Sequence, residues 1–166
     1  RLFTPGRRIR LVPGVLEEDL VRLDADLGAA APAPEGELRL IGRRQLRGNN
    51  SWMHNSERLV SGKPRCTLWI HPRDAQAQQL QDGQTVTVAS RVGQVRVPVH
   101  VTEDIRPGVV SLPHGWGHNL PGTRLGLAAG RPGANLNALL DDQLRDPLSG
   151  NAVLSGVAVT LSSIDG

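Results

Sequence analysis

At 166 residues the chain has the length of a single domain able to bury a real core. Aromatic residues make up only 2%, so that core must be built from Val, Leu, Ile and Ala, and 19 Gly with 12 Pro imply many turns and few long helices. The formal charge is +3 and Lys63 is the sole lysine among 19 basic residues, while a single cysteine, Cys66, excludes an internal disulfide and a cysteine-built metal cluster within the chain.

Arginine forks suit an anionic partner, although an arginine-biased composition gives the same balance. No apolar run reaches membrane-spanning length and no signal peptide is visible. The chain begins Arg1-Leu2-Phe3, without a methionine, and is read as cut from something longer.

In chain order, Phe3-Thr4-Pro5-Gly6 and Arg10-Leu11-Val12-Pro13 read as a lead-in. Val15, Leu16, Leu20, Leu23 and Leu27 recur at helical spacing behind Glu17 and Glu18, which predicts a helix over 15–27. Residues 29–35 carry two prolines and read as a linker. Residues 1–35 are therefore expected to be a loosely packed lead-in, and 36–166 the compact domain. Six strands follow, over 37–41, 66–71, 85–89, 95–101, 109–112 and 153–161, with one helix over 73–80. Val86, Val88, Val97 and Val99 fall on alternating positions and are expected inside, with Ser90-Arg91-Val92-Gly93 as a hairpin turn. The fold class is mainly β, a six-stranded barrel with a few short helices.

Three polar loops interrupt the strands. The first, 42–55 (GRRQLRGNNSWMHN), gathers Arg43, Arg44, Gln45, Arg47, Asn49, Asn50, Ser51, Trp52, His54 and Asn55. Arginine supplies charge-assisted donors for phosphate, amide and hydroxyl groups meet the polar edge of a heterocycle, and Trp52 can wall a pocket. The bland alternative is a solvated loop, against which the amide density and the tryptophan weigh. The second loop, 113–119, holds His114, Trp116, His118 and Asn119. The His114–His118 spacing suits two metal ligands on a helix, but Pro113, Gly115 and Gly117 oppose a helix and no third ligand is near, so no metal site is expected. The third loop offers Asn135 and Asn137, facing the same way if extended, and either ligand contacts or turn formers.

No nucleophile elbow, phosphate-binding glycine loop or dinucleotide fingerprint occurs, and no catalytic residue is assigned. With one Phe and three Trp, base-stacking platforms are scarce, and no nucleic-acid partner is expected.

Taken in order, these segments resemble the molybdopterin dinucleotide-binding domain at the C-terminal end of the dimethyl sulfoxide reductase family. Phe3-Thr4-Pro5-Gly6-Arg7 with Ile9-Arg10-Leu11 is similar to the family's lead-in, and Leu40-Ile41-Gly42-Arg43 to its first strand and the cofactor loop. His71-Pro72-Arg73-Asp74-Ala75 with Asp82-Gly83 and Val86-Val88-Ser90 resembles N-P-x-D-A…G-D-x-V-x-V-x-S. Pro107-Gly108-Val109-Val110 and His114-Gly115-Trp116 match the following turn and its His-Trp segment. Asn135-Leu136-Asn137-Ala138-Leu139 with Asp146-Pro147-Leu148-Ser149-Gly150 matches the closing motif. Two departures stand out: Leu154-Ser155-Gly156 replaces a lysine found in many members, and Asn49-Asn50-Ser51-Trp52 replaces a His-x-Thr pattern.

The resemblance implies a double-psi β-barrel that closes over two pterin guanine dinucleotides chelating molybdenum or tungsten. The first loop, His114 to Asn119 and Asn137 would contact pterins and pyrophosphates. The metal's protein ligand, and any iron–sulfur cluster, would come from preceding domains of the same polypeptide. The isolated domain is thus expected to hold no cofactor, to be inactive and to touch no membrane, within a parent oxidoreductase of the cytoplasm rather than the periplasm. The rival reading is a stand-alone basic barrel adaptor that binds protein or nucleic acid. A self-processing decarboxylase barrel needs a Gly-Ser bond, and no Gly-Ser pair occurs in the chain.

Overall fold

The computed structural model describes residues 2–29 and 34–164. Six strands form a closed barrel: β1 Leu38–Arg43, β2 Leu68–Ile70, β3 Thr85–Ala89, β4 Gln94–Val101, β5 Val109–Pro113 and β6 Val157–Ser163, in the order β1-β5-β2-β4-β3-β6. β1–β5 and β2–β4 pair in parallel, while the remaining neighbours are antiparallel. Parallel partners cannot be joined by a tight turn, so the chain crosses the barrel ends between them, as the double-psi fold requires. Closure also leaves none of the six strands at the edge of a sheet.

The period-2 valine pattern becomes the interior. Val86 pairs with Val97 and Val88 with Val95 across the β3–β4 hairpin, and Val86, Val88, Val97 and Val99 are buried as expected. Leu40, Leu68, Ile70, Val110 and Leu112 fill the rest of the core. In the hairpin turn, Ser90 N donates to Gly93 O at 2.8 Å, and the Ser90 hydroxyl accepts from Val92 N and Gly93 N, each at 3.3 Å.

The helices are short apart from the first. α1, Gly14–Gly28, matches the apolar periodicity, yet buries none of its residues. Of the expected linker 29–35, residues 30–33 lie outside the described residues. α2, Glu57–Val60, follows the first polar loop. The expected helix over 73–80 is α3, Pro72–Ala77, and the His71 ring caps it by accepting from Arg73 N at 3.1 Å. It stops before Gln79, whose φ of +56° leaves the helical region. α4, Gly126–Ala129, follows the second polar loop.

Strand ends moved where tertiary contacts overrode the local pattern. β1 runs two residues beyond the expected stop because Gly42 and Arg43 pair with Leu112 and Pro113 of β5. The last strand starts at Val157 rather than 153, after Gly156 N has donated to Leu40 O at 2.8 Å.

The parallel β1–β5 pairing positions everything that follows. Arg43 and Pro113 are in register at the ends of their strands, so the first and second loops leave the barrel side by side. His114 N continues the pairing by donating to Arg43 O at 3.2 Å. A 3-10 turn over Leu136–Leu139, with Leu136 and Leu139 buried, brings the third loop to the site.

Candidate cofactor-binding site

Four of the residues singled out from sequence line one cavity of about 230 Å³: Arg43, Arg44, His114 and Asn137, with Gly42, Leu136, Leu140, Leu154 and Ser155. All three polar loops contribute, although the loops are far apart in the chain. Two residues of this lining, Arg43 and His114, each carry a buried nitrogen, Nε and Nε2, with no hydrogen-bond partner. Buried polar atoms are nearly always satisfied, and an exception in a cleft calls for a partner that the chain does not contain. The donor set, two guanidinia with an imidazole and an amide, matches a phosphate-bearing heterocycle.

The two arginines are not equivalent. Arg43 directs Nη1 to Ser111 O at 2.7 Å and Nη2 to Thr67 O at 2.9 Å, and its guanidinium lies 4.1 Å above the Trp69 ring. Burial pushes its pKa down to about 10. The ends of its fork are therefore occupied in joining β5 to the start of β2. Arg44 is exposed, and its one hydrogen bond is donated to Asn50 Oδ1, on the same loop.

Much of the amide density that suggested a ligand serves the backbone. Asn49 and Asn50 have φ of +40° and +62°, the left-handed region that asparagine tolerates better than most residues. Asn55 Oδ1 accepts from Leu127 N at 3.1 Å and Ala128 N at 3.3 Å, capping α4. Asn135 Oδ1 accepts from Asn137 N at 3.0 Å and caps the 3-10 turn. Trp52 is 81% exposed and does not line this cavity, while Ser51 and Asn119 are also exposed.

A second group forms behind the cavity. His54, only 2% exposed, stacks against Trp116 with ring centroids 4.0 Å apart, and its Nδ1 meets His118 Nε2 at 2.6 Å. It shares a void of about 10 Å³ with Gln45, Arg47, Gly48, Leu59, Val60, Arg65 and Trp116. Among the described residues, no three His, Cys, Asp or Glu side chains gather as a metal site. The loops meet closely. Gly115 has φ of +91°, and a Cβ there would lie 2.0 Å from Asn50 O, so only glycine lets the second loop seat on the first. Gly117 N and His118 N both donate to Pro132 O, at 2.7 and 3.3 Å, anchoring the second loop on its other side.

Sequence reasoning missed a larger cavity of about 480 Å³ that reaches Trp116 and is lined by Lys63, Arg65, Cys66, Pro98 and Arg131. Arg65 donates to Leu59 O and Ser61 O, and Arg131 to Val60 O, so carbonyls at the end of α2 hold two guanidinia at its rim. Lys63-Pro64-Arg65 was the signal, a basic pair directly ahead of a strand. Burial raises the Cys66 thiol, opposed by the Ala134 backbone and by Arg43. It is a packed core group there rather than a nucleophile.

The family model described as "molydopterin dinucleotide binding domain" matches residues 38–158. A tetrathionate reductase chain of Salmonella typhimurium (strain LT2) is 28% identical over 124 residues, which is 64% of this chain and 12% of that protein. The molybdopterin-containing chain of the arsenate respiratory reductase of Chrysiogenes arsenatis is 29% identical over 120 residues, 67% of this chain and 14% of its own. This chain thus spans only a small fraction of the curated relatives it matches. Acetylene hydratase from Pelobacter acetylenicus shares the fold, with a TM-score of 0.66 at 20% identity, over 94% of this chain and 20% of that one.

Proposed function

From the premise that the chain belongs to the molydopterin dinucleotide-binding domain family, we propose that it forms one wall of the cofactor site of a much longer molybdenum or tungsten oxidoreductase. Family membership sets the stand-alone adaptor reading aside. On this reading the metal held by the pterins supplies the redox chemistry when bound, and this chain supplies binding and orientation.

The observation that carries the proposal is the convergence of Arg43, Arg44, His114 and Asn137 on one cavity, with His114 Nε2 buried and unpartnered. Arg44 would meet a pyrophosphate oxygen, and His114 Nε2 and the Asn137 amide would meet the edge of the pterin. The cavity volume of about 230 Å³ is below the roughly 300–1,000 Å³ of a complete small-molecule pocket. A partial wall is what a domain closing over a large cofactor would present. Two positively lined cavities meet the second loop, one at His114 and the other at Trp116. That arrangement favours two phosphate-bearing dinucleotides over one. The single cysteine leaves no iron–sulfur ligand set in this chain, so any such cluster would belong to another part of the parent. Residues 1–35 would be the lead-in from that part.

The test substitutes Arg44 and Asn137 by Ala, one at a time, in the parent protein. Molybdenum and guanine dinucleotide per chain should fall, while the melting point of the present chain carrying the same change stays put. Wild-type cofactor content in both variants overturns the proposal.

A further inference from the structure

We infer that His54 is a positioning residue rather than a cofactor contact: its hydrogen bond to His118 clasps the first loop to the second and thereby fixes Trp116 and His114. The clasp is a property of this chain alone, and only its consequence for the cofactor rests on the function proposed above.

The void that His54 lines is about 10 Å³, room for roughly one water and for no heterocycle. A Cβ at Gly48 would lie 2.8 Å from His54 Nε2, so backbone closes that edge of the ring, and this buried nitrogen, unpartnered within the chain, can reach no more than a water in the void. The opposite edge, Nδ1, faces His118 Nε2 at 2.6 Å, across 64 residues of sequence. One ring face is covered by Trp116, which belongs to the same segment as His114.

At 2.6 Å only one hydrogen fits between the two nitrogens, so one ring must donate and the other accept. The neutral pair satisfies this, and so does a pair with one added proton, in which the cationic ring donates. A second added proton sets two N–H groups against each other and opens the clasp. The charged groups that share the void with His54 are Arg47 and Arg65, both cationic, and Gln45, Leu59, Val60 and Trp116 are neutral. No carboxylate lines it. Burial first, then the charge of His118, hold His54 below the ordinary histidine range, with the Gly115 backbone pulling the other way. The clasp is therefore closed at neutral pH and opens on acidification below the usual value of about 6.5.

The test records histidine-ring and tryptophan-indole NMR signals of this chain from pH 8 downward, for wild type, His54→Asn and His54→Leu. In wild type, His54 and His118 should be complementary tautomers, with one of the two facing nitrogens protonated and the other bare. The Trp116 indole signal should move as the second proton enters, with the opening equilibrium changing by up to about tenfold per pH unit. His54→Asn places near Nδ1 an amide that can donate to His118 Nε2 or accept from it but cannot ionise, so it should keep the closed signal at all these pH values. His54→Leu should show the open signal at neutral pH. Facing nitrogens that are both protonated, or both bare, at neutral pH overturn the clasp, even if the leucine variant does not fold. In the parent, acid-dependent cofactor loss should be present in wild type and absent in His54→Asn; the same loss in both overturns the positioning role. Failure of the cofactor proposal itself is read elsewhere, in the Arg44 and Asn137 variants.

Discussion

Replacing Arg43 by Met separates bracing from cofactor binding. The guanidinium makes two hydrogen bonds to backbone carbonyls, at 2.7 Å to Ser111 O and 2.9 Å to Thr67 O. Bonds from a charged donor contribute about 1.5–3 kcal/mol each, and the contact with Trp69 about 0.5–1 kcal/mol. Against these stands the cost of partly burying a guanidinium, the same burial that lowers its proton affinity. Methionine would also keep apolar cover over the Trp69 ring. The net loss is then about 2–4 kcal/mol, or roughly 4–16 °C of melting temperature for a chain of this length. Urea unfolding of the chain should show a lower midpoint at an unchanged slope. Arg44→Met is the control. Its exposed side chain bonds only Asn50, so stability should hold within about 0.5 kcal/mol. If Arg43→Met unfolds within that same margin of wild type, the two carbonyl bonds contribute little and Arg43 is free to serve the ligand.

Two further changes probe how the loops and the barrel are tied together. Gly115→Ala puts a Cβ 2.0 Å from Asn50 O at a φ of +91°, adding about 1–3 kcal/mol of backbone strain besides the clash. Amide NMR shifts should spread from 113–119 into 48–55, and shifts confined to the second loop would refute the contact. Arg91→Gln removes the partner of Asp141, a carboxylate only 5% exposed that Gln143 N also binds at 2.9 Å. The Arg91 hydrogen bond is the first cause holding Asp141 below the usual carboxylate range. Its stabilisation is therefore present above the unfolded value of about 3.9 and lost as pH falls through the folded one. Melting curves of the two proteins should differ at pH 7 and converge in acid; a constant difference across that window refutes the pairing.

The strands were the legible part of the sequence because their determinants are local. Alternating valines over 86–88 and 95–101 can bury one face only as strands, and the Ser90–Gly93 turn joins them without reference to the rest of the chain. The ordered motifs from Leu40 to Gly150 likewise carried the family. The polar loops were legible only as regions. Asparagines 49, 50, 55 and 135 gave the same signal as Asn137, yet four of them turn or cap the backbone and one lines the cavity. Residue type states what a side chain can bond, whereas its neighbours decide what it does bond.

Arg43 and Arg44 make the same point at adjacent positions. Their order in the sequence predicts equal roles, but alternation along β1 sends one over Trp69 and toward the carbonyls of Thr67 and Ser111, and leaves the other at the surface. The sequence by itself determined a valine-lined barrel, its family and the three segments that form the site. Only tertiary structure decided that parallel pairing of β1 with β5 sets Arg43 beside Pro113, and that His54 lies against His118. Those contacts join residues as many as 70 positions apart (43 to 113). Hydrophobic periodicity reports on neighbours a few residues away and is silent about such pairs, which are fixed by how the barrel closes.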